Sequence, residues 1–147
     1  MNHQTYVLGF LFSDEGDKVA LIRKNKPEWQ SGKLNGIGGK VEHTEVPLQA
    51  MRREFEEETG SPLEAWERFA CMQGQGWTVH AFRAFSTEAL ERCRTMEQEQ
   101  VIIVQPRDLF FFAGRPYIFN LNWLIPLALD KGSNSEGGPR FTEVRYP

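Results

Sequence analysis

Residues 38–61 read GGKVEHTEVPLQAMRREFEEETGS: a glycine pair, a polar connection, and then a helix that collects acid. Gly60 can end a helix as a C-cap, and the segment from about Pro47 to Thr59 reads as that helix. At about 100° per residue, Glu54, Glu57 and Glu58 fall at about 0°, −60° and +40°, and Leu48, Met51 and Phe55 lie about a quarter turn away. One face packs and its neighbour gathers negative charge.

That charge is costly without a partner. Carboxylates three and four residues apart, roughly 5 to 6 Å at Cβ, repel by about 0.7 kcal/mol in water and about 3 kcal/mol at an effective dielectric near 20. They also sit in the last turn, where the helix dipole disfavours anions. A hard divalent cation reverses both penalties, and Mg²⁺ is commonly held by one or two carboxylates plus the phosphates of a substrate. In an arbitrary protein the run Arg53-Glu54-Phe55-Glu56-Glu57-Glu58 is a solvated face with i, i+4 pairs such as Arg53 with Glu57. The context 35–39, NGIGG, read as a flexible turn leading to Glu45, weighs against that here.

The spacing Gly39, Glu45, Arg53-Glu54-Phe55, Glu57-Glu58, Gly60 resembles the signature of the Nudix hydrolases at every charged and glycine position. Ser61 departs from it, since the family places an aliphatic residue there; the expected cost is a packing contact and no ligand. The resemblance implies an α+β fold, an α/β/α sandwich around a mixed central sheet. It also implies hydrolysis of a nucleoside diphosphate linked to another moiety, by attack of water on phosphorus with Mg²⁺ or Mn²⁺. Carried over, Glu54, Glu57 and Glu58 would be metal ligands together with the backbone carbonyl of Gly38. Glu54 and Glu57 share the assignment of activating water, and Arg53, paired with Glu45, would hold loop against helix. Family members often draw a further acidic ligand or base from before a later strand; Glu99 is favoured for that role and Glu97 is the alternative.

The remaining sequence fits one domain spanning 1–147. With 40% hydrophobic and 25% charged residues the composition is that of a globular chain, and a net charge of −3 argues against a duplex nucleic-acid binder, which displays a basic excess. No apolar run is long enough to cross a bilayer and no signal-type segment opens the chain, so a cytoplasmic location without a membrane partner is expected. Cys71 and Cys93 have neither a disulfide framework nor zinc spacing and read as buried or half-buried thiols. A homodimer and a monomer are both left open.

Periodicity predicts a hairpin of strands 6–12 and 19–22, strands 66–72 and Trp77–Phe85, a strand 101–104, a helix 119–129, a loop 132–139 and a last strand 141–146.

Substrate selection depends on residues outside the signature. Segment 29–41, WQSGKLNGIGGKV, is similar to the matching segment of the oxidised purine nucleoside triphosphatases, in which an Asn at the position of Asn35 contacts the base. Asn35 and Asn120 carry amides that can read a purine edge, with Asn122 a further polar candidate, and Trp29 or Trp77 can stack on it; Asn35 before Gly36 equally suits a turn. The reading reached is a Mg²⁺-dependent pyrophosphohydrolase acting on a nucleoside triphosphate, an oxidised one included, giving monophosphate and pyrophosphate. The alternative is a noncatalytic module that senses a nucleotide or a protein.

Overall fold

The computed structural model describes residues 2–111, 116–132 and 141–147. In chain order the elements are β1 (Gln4–Phe12), β2 (Val19–Arg23), a 3-10 turn (Glu28–Gln30), β3 (Leu34–Asn35), β4 (Ile37–Lys40), α1 (Pro47–Thr59), β5 (Glu67–Gly74), β6 (Trp77–Phe85), α2 (Thr87–Arg92), β7 (Gln100–Val104), α3 (Pro106–Phe111), α4 (Leu121–Leu129) and β8 (Thr142–Arg145). The loop expected over 132–139 lies, from 133 onward, outside the described residues.

The strands form one mixed sheet in the order β3-β2-β1-β6-β5-β8, with β4 also paired to β1 and β7 to β2. The pairs β1 with β6 and β5 with β8 are parallel, and the rest are antiparallel. The expected hairpin exists, but β1 and β2 share only the pairs Leu11↔Ala20 and Phe12↔Val19. Beyond these, β1 is claimed along its whole length by β6 and partly by β4.

Side-chain alternation along β1 divides the core. Val7 and Leu11 join Ala50, Met51 and Phe55 of α1 and Ala89 and Leu90 of α2. Leu8, Phe10 and Phe12 face the other way, onto Leu121, Leu124, Ile125 and Ala128 of α4. The sheet is therefore covered by helices on both faces, an α+β sandwich as expected from the sequence. Phe55 meets Trp66 edge-on at 4.9 Å between ring centroids, and burying a ring of that size contributes about 1.5 to 3 kcal/mol. Gly9 admits this close approach, because a Cβ there would stand 2.5 Å from the Met51 methyl.

Both helices that bracket the sheet end on polar partners. Arg83, almost fully buried, donates to the carbonyls of Ala128 and Asp130 at 2.8 Å each and to Glu67 at 2.8 Å, closing α4 onto β6. Ser61, expected to weaken packing after α1, is fully buried and donates to the Ala89 carbonyl at 2.9 Å. Where an aliphatic residue would give a packing contact, the Ser61 hydroxyl gives a hydrogen bond from the chain just after α1 to α2. Among the described residues no helix is long and apolar enough to cross a membrane.

Candidate active site

The signature begins on a strand. The stretch expected as a flexible turn is β3 and β4, with Leu8 opposite Gly38 and Val7 opposite Gly39. Neither glycine has positive φ, so both are needed for space and not for conformation. A Cβ on Gly38 would come 1.9 Å from the Val7 carbonyl oxygen, and one on Gly39 would come 2.5 Å from the Glu54 carboxyl carbon. The Glu54 carboxylate therefore lies against the bare backbone of β4.

Helix α1 starts with Pro47 in its first turn, and the Gln49 side chain accepts from the Val46 amide at 3.0 Å. It stops at Gly60, whose φ of 70° is left-handed and whose N–H reaches the Glu56 carbonyl. The carbonyls of its last turn are met by the connection between α2 and β7: the Arg94 amide donates to Thr59 at 2.9 Å and the Met96 amide to Glu58 at 3.3 Å. Satisfying these carbonyls also brings the next residue, Glu97, beside the end of α1.

Arg53 uses all five of its N–H donors. It takes both Glu45 oxygens at 2.7 and 2.8 Å, the Lys40 carbonyl at 3.1 Å, Glu54 at 2.9 Å and Glu57 at 3.3 Å. Glu45 is lowered from its ordinary carboxylate value chiefly by this guanidinium, and Arg53 is raised by Glu45 first. The planar fork thus ties the connection before α1 to the helix, the geometric role expected of Arg53.

The carboxylates are close but unequal. Burial, opposed by Arg53, raises Glu54, with Glu57 and Glu97 adding to the rise. Glu58 is pushed up to about 7, first by burial and then by Glu97, Glu99 and Glu54, with Lys24 opposing. Its Oε2 is buried with no hydrogen-bond partner among the described residues. Glu57 is half exposed. Among the described residues no three His, Cys, Asp or Glu side chains are gathered as a preformed metal cage; Glu54 and Glu57 are turned to Arg53 instead. In charge and donor type the set still fits a hard cation, because an orphaned carboxylate oxygen in an acidic pocket is what such an ion satisfies.

Glu58 gives a stability prediction. Its folded-state pKa lies above its ordinary 4.5, so the folded protein holds the proton more tightly, and wild type loses stability as pH rises from about 4.5 to about 7. Glu58→Gln removes that slope. Without metal the variant is expected to equal or exceed wild type at pH 8, with the difference shrinking toward pH 5 in thermal melts; a variant less stable at pH 8 would contradict it.

The other predicted residues divide. Glu99, the favoured additional ligand, has both oxygens engaged: Oε1 accepts from Lys24 Nζ at 3.0 Å and Oε2 from the Asn25 amide. Burial raises it, but the Asn25 amide and the Lys24 ammonium outweigh this and hold it below the usual range. Glu97 is exposed and lines, with Glu58, Glu99, Gln98, Lys24, Lys26 and Pro27, a cleft of about 650 Å³. Lys24 was not singled out in the sequence, since LIRKNK reads as an ordinary strand end. The β2–β7 register, Arg23 opposite Gln100, is what sets it across from Glu99.

Asn35 ends β3, with Oδ1 accepting from the Gly36 amide at 2.8 Å and Nδ2 donating to Gln30 at 3.3 Å. Leu34 bonds through its backbone to Pro116 and Ile118, which draws β3 beside the segment leading to Asn120. There Asn120 Oδ1 is buried without a hydrogen-bond partner among the described residues. Trp29 is 63% exposed on the 3-10 turn next to Gln30. Asn122 is taken by the Tyr117 hydroxyl at 2.8 Å. Trp77 packs on Tyr146 at 5.5 Å between centroids and against Gly74, a structural contact. Cys71 is buried and Cys93 half-buried, both free.

The sandwich and the signature helix have relatives. The family model of the NUDIX domain matches residues 2–120. MutT, from a study of the Aliivibrio salmonicida and Vibrio cholerae proteins, superposes with a TM-score of 0.71 at 22% identity, over 89% of this chain and 100% of that one. A MutT protein from Bacillus halodurans gives 0.68 at 19% identity, over 97% and 90%. The NUDIX domain of Shewanella oneidensis NrtR, solved with ADP ribose, gives 0.71 at 19% identity, over 86% of each chain. No curated protein matches significantly in sequence. The chain belongs to the NUDIX family, and it is a Nudix hydrolase.

Proposed function

We propose that the protein is a Mg²⁺-dependent pyrophosphohydrolase, Mn²⁺ serving in its place, that converts a nucleoside triphosphate, oxidised purine forms included, to monophosphate and pyrophosphate. The observation that carries this is the Glu58 oxygen, buried with no partner among the described residues and facing the charge of Glu97, Glu99 and Glu54, beside the Glu54 and Glu57 carboxylates that Arg53 holds. When bound, the cation supplies charge neutralisation for phosphate oxygens and a more acidic water. Glu54, Glu57 and Glu58 would hold it with the Gly38 carbonyl, and Glu97 takes the role first considered for Glu99.

The chain's own groups do the rest. Arg53 orients Glu54 and Glu57 through its hydrogen bonds to both. Either of these accepts the proton of the attacking water, the half-exposed Glu57 having the freer approach. The substrate's phosphates lie along the cleft beside Lys24 and Lys26, which contribute positive charge to an otherwise acidic wall. Trp29, Asn35 and Asn120 form the base side. Product identification across a panel of nucleoside triphosphates tests the assignment: monophosphate with pyrophosphate is expected, and diphosphate with inorganic phosphate would contradict it.

Asn35 keeps one N–H and one lone pair beyond its two local bonds. Asn35→Ala is therefore expected to lower kcat/KM for the preferred purine nucleotide by roughly tenfold to a hundredfold, the loss of about one or two hydrogen bonds, and to affect pyrimidine nucleotides less. An equal loss on both would reassign Asn35 to shaping the turn at Gly36.

A further inference from the structure

We infer that Glu99 is a positioning residue: by gripping Lys24 and the Asn25 amide it clamps the segment leaving β2 to the connection entering β7, and so fixes the cleft wall opposite Glu58. The inference rests on the metal-site reading above only for what the cleft receives.

The β2–β7 ladder ends at Arg23 opposite Gln100, and past that pair both strands have run out of mutual backbone bonds. Glu99 supplies the next link from its side chain, through Asn25 and through Lys24 at 3.0 Å. The Lys24 and Glu99 side chains are only 21% and 16% exposed, so the pair is shielded from the water that makes surface pairs weak. The same connection is pinned at its other end by Arg94 and Met96 on the carbonyls of α1, and between the pins the Thr95 hydroxyl accepts from the Val101 amide at 3.0 Å. Glu97 hangs between these anchors, while Lys24, Lys26 and Pro27 form the facing wall.

Ligation by Glu99 would undo this. A dication on Oε1 would stand within a few ångström of the Lys24 ammonium and be repelled by it, and one on Oε2 would displace the Asn25 amide. Glu97 has neither constraint among the described residues.

The test compares wild type with Glu99→Ala, Lys24→Met and the double variant. Three quantities are read: Mn²⁺ affinity by calorimetry, amide hydrogen exchange over residues 24–26, and Mg²⁺-supported turnover of dGTP. A clamp predicts exchange at Asn25 and Lys26 faster by roughly tenfold or more in Glu99→Ala, with Mn²⁺ affinity within about threefold of wild type in both single variants. KM for dGTP is expected to rise by roughly tenfold in each single variant with kcat within about twofold, and the double variant to be no worse than either, as for two residues acting as one unit. Unchanged exchange in Glu99→Ala, or additive kinetic losses, would overturn the clamp. So would Mn²⁺ binding weakened at least tenfold by Glu99→Ala and spared or strengthened by Lys24→Met, the pattern of a ligand. If wild type itself fails to bind Mn²⁺, the metal-site reading falls, and the exchange measurement still decides the clamp.

Discussion

Glu57→Gln is expected to lower the rate of pyrophosphate release by at least about 10²-fold, because neutralising one carboxylate weakens the hold on the cation that would offset phosphate charge and removes a proton acceptor for water. The fold should not register the change. Glu57 is half exposed, and its bond to Arg53 is the longest that guanidinium makes among the described residues, at 3.3 Å. A thermal melt close to wild type beside a collapsed rate is therefore the predicted pair of results. Wild-type turnover in the variant would remove Glu57 from the chemistry, and joint loss of rate and stability would make its role structural.

The two glycines before the helix should fail in different ways when each is replaced by Ala. At Gly38 the added Cβ meets only backbone, 1.9 Å from the Val7 oxygen, 2.7 Å from its carbonyl carbon and 3.0 Å from the Leu8 Cα. Nothing there can rotate aside, so β4 must leave β1, and a destabilisation of at least about 3 kcal/mol is expected, at the upper end of overpacking costs. At Gly39 the Cβ meets the Glu54 carboxylate, the far end of a flexible side chain. That group can move and the fold survives. The displaced carboxylate then costs activity by about 10²-fold, the usual consequence of an ångström's misplacement at a reacting centre. Denaturant unfolding and steady-state rates on both variants check this; equal stability of the two would contradict the assignment of Gly38 to strand contact and Gly39 to carboxylate seating.

Helix α1 was legible because two independent signals coincide on it: the packing stripe of Met51 and Phe55 beside an acidic face, and Gly60, left-handed at its end. Strands β5, β6 and β7 showed for a similar reason, as apolar runs between turn residues. The glycine-rich strands β3 and β4 did not, since residues chosen for close approach to Val7 and Leu8 look locally like a turn and reveal themselves only through pairing. Helices α2 and α3 have six residues each, too few for a period to be read. The one available cue to α2 was Ser86, whose hydroxyl accepts from the Ala89 amide.

The site divides along the same line. The grouping of Glu54, Glu57 and Glu58 follows from local helix geometry. The choice between Glu97 and Glu99 depends on what a distant strand brings opposite them, and the Lys24 contact that engages Glu99 spans 75 positions in the chain. Closeness to a strand and rigidity were sound grounds for expecting Glu99 to be well held; the holding partners turn out to be protein groups.

The most direct test of the metal-centred account is pyrophosphate release from a nucleoside triphosphate panel, measured after chelation and again after Mg²⁺ is restored. The account predicts release from at least one triphosphate, its loss in chelator and its recovery with Mg²⁺. Release undiminished in chelator, or none from any triphosphate with Mg²⁺ present, would contradict it.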